Sequence, residues 1–150
     1  MFGLDNWYSS YTIAGHFSEF LLFADSTRKK IYLINIDNQH SQVVPLELGN
    51  LQEPEALDFD PQTHSIYWSD LQFRQIARAN PDGKSKTIIV NSGLQRPRGI
   101  AVDYAGRNLY WTDYDGERIE VAKLDGSQRK VLISRNIEKP VDIVLDLNNG

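Results

Sequence analysis

Residues 110–113 read Tyr-Trp-Thr-Asp, and residues 67–70, which lie 43 positions earlier, read Tyr-Trp-Ser-Asp. Pro54, Pro97 and Pro140 are separated by the same 43 residues. A constant step of about 40 to 45 residues is typical of proteins built from repeated supersecondary units. The step therefore predicts consecutive copies of one unit, in which the recurring residues serve the scaffold. Positions that differ between the copies are where binding specificity can lie.

Each repeat contains four short runs that are typical of β-strands, because they are rich in aromatic and β-branched residues or alternate polar and apolar side chains. Turn sequences such as Asp125-Gly126 separate the runs. In the first repeat the motif is degenerate, and residues 22–25 stand in its place. Four antiparallel strands per repeat predict an all-β fold made of β-propeller blades. The predicted strands are 31–36 and 42–44 in the first repeat, 56–59, 65–69, 75–79 and 87–90 in the second, and 99–103, 109–112, 118–122 and 130–133 in the third.

The composition excludes several classes of function. The 16 basic and 20 acidic residues are mixed along the chain, so no nucleic-acid partner is predicted. Cysteine is absent, which excludes disulfides and thiolate zinc sites. The sequence has no apolar run of about 18 residues and no signal-peptide pattern at its start, so neither a transmembrane segment nor a leader is predicted. His16, His40 and His64 lack metal-ligand spacing, and no nucleophile motif occurs, so we expect no metal, no cofactor and no enzymatic activity.

The motif and the segments 118–120, 124–126 and 130–132 that follow it resemble the six-bladed YWTD β-propellers of the low-density lipoprotein receptor family. That family includes lipoprotein-receptor-related proteins and Wnt co-receptors, and nidogen has a related propeller. The resemblance covers roughly residues 20–150. It implies an extracellular or cell-surface ectodomain that takes part in endocytosis or signalling by binding protein or peptide ligands. It also implies that about three blades of six are present.

The repeats divide the chain into an unassigned extension at 1–19, a degenerate blade at 20–53, blades at 54–96 and 97–139, and the first strand of a further blade at 140–150. Two interpretations follow from the count of blades. The chain is a segment of a longer receptor or a truncated gene product, or it is a half-ring that associates with a second copy to complete the ring. In the second case the lone strand would complete the partner's first blade, unless residues 11–14 supply that strand.

The recurring residues are interpreted as scaffold. Because side chains alternate along a strand, the motif's tyrosine and tryptophan are predicted to pack against opposite neighbouring blades, while its aspartate fixes the following turn. Asp60, Asp103 and Asp146 recur at the end of the first strand and are predicted to cap a turn rather than to bind a metal. The predicted structural motif consists of Tyr67, Trp68, Asp70, Tyr110, Trp111 and Asp113.

The candidate site lies in the loops that connect one blade to the next and the second strand to the third. Equivalent positions there hold an acidic pair, a basic pair and a mixed set. Packing does not require these differences, so they indicate a recognition site. The alternative is ordinary surface charge on a solvated rim. Phe73 and Tyr114 are the candidate aromatic anchors, and His64 is a candidate pH sensor. The predicted ligand-binding residues are Glu53, Glu55, Gln72, Phe73, Arg96, Arg98, Tyr114, Asp115, Glu117, Lys139 and Asp142.

The predicted function is non-enzymatic binding of a protein or peptide ligand on that face of the disc. Two alternatives stay open. A calcium-dependent enzyme of the lactonase-like propeller class would need a metal on the ring axis, and a structural matrix module of the nidogen type would bind protein through the same face.

Overall fold

All regular structure that the computed structural model describes, in residues 20–36 and 43–147, is β-strand. Eleven strands form three antiparallel sheets in these two ranges, which confirms the all-β prediction. The first sheet contains β1 (Phe20–Asp25), β2 (Lys30–Asn35) and β3 (Val43–Pro45). The second contains β4 (Pro54–Asp60), β5 (Ser65–Asp70), β6 (Gln75–Ala79) and β7 (Thr87–Val90). The third contains β8 (Pro97–Asp103), β9 (Asn108–Asp113), β10 (Arg118–Lys123) and β11 (Lys130–Ile133).

Each sheet is an antiparallel meander, because its hydrogen-bonded neighbours follow chain order. The strands β4 and β8 pack side by side, whereas β11 is exposed along its whole length. We therefore assign β4 and β8 as inner strands and β11 as an outer strand of the blades. The strand β1 packs on β4 as β5 packs on β8, so β1 holds the second-strand position of its blade. The candidate first strand of that blade, at 11–14, lies outside the described residues.

Two apolar cores fill the spaces between the sheets, and the motif supplies large rings to both. Trp68 lies in the core between the first and second sheets, together with Ile31 and Leu46. Tyr67 lies in the core between the second and third sheets, where Trp111 is also found. All three rings are fully buried. The tyrosine and the tryptophan of one motif thus serve opposite faces of one strand.

A cation covers each of the two buried indole rings. Lys86 Nζ lies 5.5 Å from the ring centroid of Trp68, and Arg129 Cζ lies 5.4 Å from that of Trp111. Lys86 also donates hydrogen bonds to the backbone carbonyls of Leu48 and Asn50, in the loop between β3 and β4, and burial lowers its pKa. Arg129 is held by the carboxylate of the buried Glu120, at 2.7 Å. Equivalent positions immediately before β7 and β11 therefore repeat one contact, a cation–π interaction, with two different side chains.

A β-bulge recurs at the N-terminal end of both inner strands, β4 and β8. In the third sheet the register shifts between Pro97 and Ile100, and the hydroxyl of Thr112 accepts the N–H of Gly99 at 2.8 Å. A bulge leaves a backbone group without its ladder partner, and the hydroxyl takes that partner's place. The same hydroxyl donates to the carbonyl of Val141, beyond the sheet, at 3.3 Å. The equivalent groups in the second sheet are Ser69, Ala56 and Arg98.

Asp60 holds the turn after β4, as predicted. Its carboxylate accepts the backbone N–H of Gln62 at 3.0 Å and the hydroxyl of Thr63 at 2.6 Å. It also forms an ion pair of 2.9 Å with Arg107 of the next blade. Burial by itself raises the pKa of Asp60, but the Arg107 guanidinium and the hydrogen bonds lower it below its ordinary value. Asp103 caps the equivalent turn of the third sheet.

Residues 141–147 do not form the predicted first strand of a further blade. The segment nevertheless lies along β8, since a Cβ placed on Gly99 would come within 2.7 Å of the Cα of Asp142. A strand is defined by its ladder of backbone hydrogen bonds, and the described residues contain no further strand to complete one here. The close approach explains why glycine stands at position 99.

Asp58 is a half-buried carboxyl where the next two repeats have Ala101 and Val144. One of its oxygens accepts the N–H of Val102 on β8 at 2.7 Å, and the other accepts the N–H of Phe59, also at 2.7 Å. Burial nevertheless raises the pKa of this carboxyl above its ordinary value of 3.8. The side chain therefore links two inner strands, at an energetic cost that depends on its charge.

We expect Trp111→Ala to lower the free energy of unfolding by about 3–5 kcal/mol, because it removes a fully buried indole and leaves a cavity between two sheets. The matched control is Tyr110→Ala, since Tyr110 is only partly buried on the opposite face of the same strand. Urea unfolding followed by far-ultraviolet circular dichroism measures both variants. Equal losses of stability would contradict the assigned packing.

We expect the effect of Asp58→Asn on stability to be more favourable near pH 7 than near pH 4. The raised folded-state pKa means that the stability is greatest where Asp58 is protonated and falls as the pH rises through that pKa. Asparagine keeps an oxygen that can accept the Val102 N–H and carries no charge, but its amide group cannot accept the N–H of Phe59, and this loss does not depend on pH. The variant should therefore lose stability relative to the parent as the pH falls toward 3.8, the ordinary aspartate value. Thermal unfolding at a series of pH values measures it, and a pH-independent difference would refute the assignment.

Candidate ligand-binding face

The loops before the inner strands meet the loops between the second and third strands at one edge of the blades. The N–H of Leu71 donates to the carbonyl of Glu53, and the N–H of Tyr114 donates to the carbonyl of Arg96, both at 2.9 Å. We call this edge the upper face. Its loops are 26–29, 71–74 and 114–117 between strands, and 46–53, 91–96 and 134–140 between blades.

The motif's aspartates hold the upper face together. The carboxylate of Asp70 accepts the backbone N–H groups of Gln52 at 2.8 Å, Glu53 at 3.1 Å and Phe73 at 3.1 Å. The sequence predicts only that Asp70 contacts the turn that follows it. The structure shows that Asp70 also binds the loop before β4, through the N–H groups of Gln52 and Glu53. The donors to Asp113 are the N–H groups of Gln95 and Arg96 and the guanidinium of Arg118.

The three loops between second and third strands share one feature of backbone shape. Each ends on a non-glycine residue in the left-handed region, with φ of 56° at Lys29, 48° at Arg74 and 48° at Glu117. Such residues are uncommon, so their recurrence shows that the loop conformation repeats. The blades therefore present different side chains on a common backbone, and the difference between them is chemical.

Glu55 and Arg98 occupy equivalent positions of neighbouring blades, inside the two bulges, and form an ion pair. Arg98 Nη2 lies 2.6 Å from Glu55 Oε1, and Arg98 Nε donates to the same oxygen at 3.1 Å. Both side chains are about a quarter exposed. The sequence predicts Glu53 with Glu55 as an acidic pair and Arg96 with Arg98 as a basic pair. The structure shows that one member of each pair is already engaged with the other.

Tyr114 lies at the centre of a group of three cations. The Cζ atoms of Arg96 and Arg98 lie 5.4 and 5.3 Å from its ring centroid, and Lys139 Nζ lies 5.6 Å from it. The side chains come from the loop between strands β9 and β10, from the loop and strand around Pro97, and from the connection after β11. The structure thus brings four predicted site residues together, and Glu55 joins them through Arg98.

A polar hollow of about 470 Å³ lies on the upper face between the first and second blades. The prediction includes Glu53 and Gln72 of its lining but misses the loop of the degenerate blade. The sequence does contain a signal for this loop, because Asp25 stands at the position of the motif's aspartate. In the structure Asp25 caps the loop by accepting the N–H of Arg28 at 2.8 Å. The hollow is lined by Ser26, Thr27, Lys29, Gln52, Glu53 and Gln72.

The remaining predicted residues are dispersed. Phe73 is 41% exposed in its loop, and Asp115 and Glu117 are exposed beside Tyr114. Asp142 is not part of the upper-face groups, because it lines a groove of about 530 Å³ along the inner strands with Asp58 and other residues. It is placed there because residues 141–147 follow β8 rather than the upper loops. His64 is exposed in the turn after β4, on the edge opposite the upper face; His16 and His40 lie outside the described residues.

Within residues 20–36 and 43–147, no group of three or more histidine, aspartate or glutamate side chains is arranged to hold a metal ion. The same residues contain no helix that could cross a membrane.

Residues 65–104 and 107–147 match the family model of the low-density lipoprotein receptor repeat class B. The chain belongs to this family. Human low-density lipoprotein receptor-related protein 5 is 40% identical over 75 residues, which is 50% of the chain. Human low-density lipoprotein receptor-related protein 4 is 38% identical over 86 residues, or 57% of the chain, and the rabbit sortilin-related receptor is 36% identical over 78 residues, or 51%. The matched segments make up 4%, 4% and 3% of those receptors.

Solved structures show the same relationship. A chain in the crystal structure of a nidogen/laminin complex superposes with a TM-score of 0.80 and 34% identity, and the match covers 87% of this chain and 50% of that one. A structural genomics protein from Bacteroides thetaiotaomicron superposes with a TM-score of 0.65 at 22% identity, over 85% of this chain and 40% of that one. The second match supports the fold alone. Together with the family match, the first shows that the three sheets are part of a YWTD β-propeller.

We expect Asp113→Ala to destabilise the protein by about 3 kcal/mol, because it leaves two backbone N–H groups without their acceptor and removes one of the two carboxylates that pair with Arg118. The matched control is Asp115→Ala in the adjacent loop, where an exposed side chain should change stability by less than about 0.5 kcal/mol. Chemical denaturation measures both. A small effect at Asp113 would contradict its role in holding the upper face.

Proposed function

We propose that this chain is a non-enzymatic, extracellular ligand-binding propeller segment that binds a protein or peptide on its upper face. The observation that carries the proposal is the contrast between a repeated loop backbone and unlike side chains. Packing explains the repeated backbone, but it does not require lysine, arginine and glutamate at one equivalent position. Conserved architecture with variable exposed chemistry is what a recognition surface on a rigid scaffold requires.

Two features of the upper face suit a polypeptide ligand. The hollow beside Gln72 and Glu53 is polar and offers amide and carboxylate groups for hydrogen bonds. Phe73, which is 41% exposed on the adjoining loop, offers an apolar contact of the kind that anchors interfaces. An extended peptide that follows the loops would meet polar and apolar positions in turn.

A structural matrix module of the nidogen type is the second candidate, and it is favoured by the match to the nidogen/laminin complex. Binding to a matrix protein would use the same face, so the two candidates differ in partner and not in mechanism. A calcium-dependent lactonase-like enzyme would need axial metal ligands, and the described residues offer no observation in its favour.

The test is selection of peptides from a phage-displayed random library on the immobilised chain, followed by affinity measurement with variants. Phe73→Ala should weaken the selected peptides at least tenfold, because it removes an exposed apolar anchor. Tyr104→Ala is the matched control, since Tyr104 is a similarly exposed ring, 37% accessible, on the opposite edge of the blades. Peptides that lose affinity with the Tyr104 variant and not with the Phe73 variant would place binding elsewhere.

A further inference from the structure

The cations around Tyr114 are more numerous than the acids that neutralise them. Arg98 is paired with Glu55 at 2.6 Å. No carboxylate of the described residues forms an ion pair with Arg96 or Lys139. Both of these side chains are exposed, and each lies within about 5.6 Å of the same ring. One small area of a chain whose net charge is −4 therefore holds two cations that have no ion-pair partner among the described residues.

The group is held in place by its surroundings. The backbone N–H of Arg96 donates to Asp113 at 2.6 Å, and its carbonyl accepts the N–H of Tyr114 at 2.9 Å. The segment around Pro97 and the connection after β11 thus bring cations to the ring of Tyr114.

We propose that Arg96, Lys139 and the ring of Tyr114 form a subsite for a single carboxylate, supplied by an aspartate or glutamate side chain of a peptide ligand. This inference rests on the proposed function and specifies the ligand's chemistry at one place. A carboxylate bound beside the ring accepts charge-assisted hydrogen bonds from these cations. The methylene groups of the acidic side chain lie against the apolar ring, and the ion pair of Arg98 with Glu55 forms one wall of the subsite.

The surroundings favour one isolated carboxylate over a sulfated polysaccharide. Asp115 and Glu117 are exposed in the same short loop as Tyr114, and Glu53 lines the neighbouring hollow. If one sulfate group of a polysaccharide bound to Arg96 and Lys139, its neighbouring sulfate groups would lie near these carboxylates and be repelled by them. A peptide with one acidic residue among neutral ones meets no such repulsion.

The experiment uses three phage libraries of nine residues that differ only in an invariant central glutamate, glutamine or lysine. We expect the immobilised chain to enrich the glutamate library at least tenfold over the other two. Changing the central glutamate of an enriched peptide to glutamine should weaken its binding at least tenfold. Raising the ionic strength should weaken the glutamate peptide and leave the glutamine peptide unaffected, because only the former binds through charge.

The double variant Arg96→Gln with Lys139→Gln tests the residues. It should weaken the glutamate peptide at least tenfold and bind the glutamate and glutamine peptides equally. The control is Lys84→Gln with Lys130→Gln, which removes the same charge from two exposed positions outside the upper-face loops and should leave the glutamate preference intact. Circular dichroism and thermal unfolding establish that both double variants are folded.

Each contrary outcome has a distinct meaning. Equal enrichment of the glutamate and glutamine libraries, on peptides that still require Phe73, would overturn the subsite and leave the proposed function standing. Loss of the glutamate preference in both double variants would also overturn it, because the preference would then follow net charge alone. A heparin tetrasaccharide that binds where glutamate peptides do not would replace it with a glycan site. Enrichment from none of the libraries would overturn the proposed function itself.

Discussion

The packing of large aromatic rings between neighbouring sheets is the constraint on which the rest of this structure depends. A four-stranded antiparallel blade has two faces to bury, and it buries both only against other blades. The motif meets this need from one strand, because Tyr67 and Trp68 are adjacent and therefore point to opposite faces. The indole N–H groups of Trp68 and Trp111 have no acceptor in the described part of the chain, so apolar contact and the covering cations hold these rings.

The other two residues of the motif solve problems that close packing creates. Residues 141–147 approach β8 so closely that a Cβ at position 99 would clash with the backbone of Asp142, and the bulge at that position interrupts the ladder. The hydroxyl of Thr112 replaces the lost partner and reaches into the adjoining segment. The aspartate that follows gathers the backbone donors of two loops, so the residues that shape the scaffold also shape the surface used for recognition.

The upper face shows how a repeat can carry a specific site. The loops keep their conformation while their side chains change, so equivalent positions of neighbouring blades can carry opposite charges and form an ion pair. Glu55 and Arg98 are such a pair, related by the 43-residue step and joined at 2.6 Å. Their partial burial reduces their availability to a ligand and leaves Arg96 and Lys139 as the exposed cations next to Tyr114. The side chain at the equivalent position of the neighbouring blade therefore decides whether a charged residue is paired or exposed to a ligand.

The sequence by itself determined the period, the all-β class, the strand locations up to residue 133 and the scaffold role of the motif, because these depend on local alternation, turn residues and register within a repeat. It also located most of the upper-face loops, since loops between recurring strands fall at fixed offsets. It did not determine that Arg98 is neutralised by Glu55, that three cations share the ring of Tyr114, that Asp142 belongs to the inner groove, or that the loop after Asp25 lines the hollow. Those outcomes depend on distances between side chains of different blades, and only the tertiary packing of one sheet against the next sets such distances.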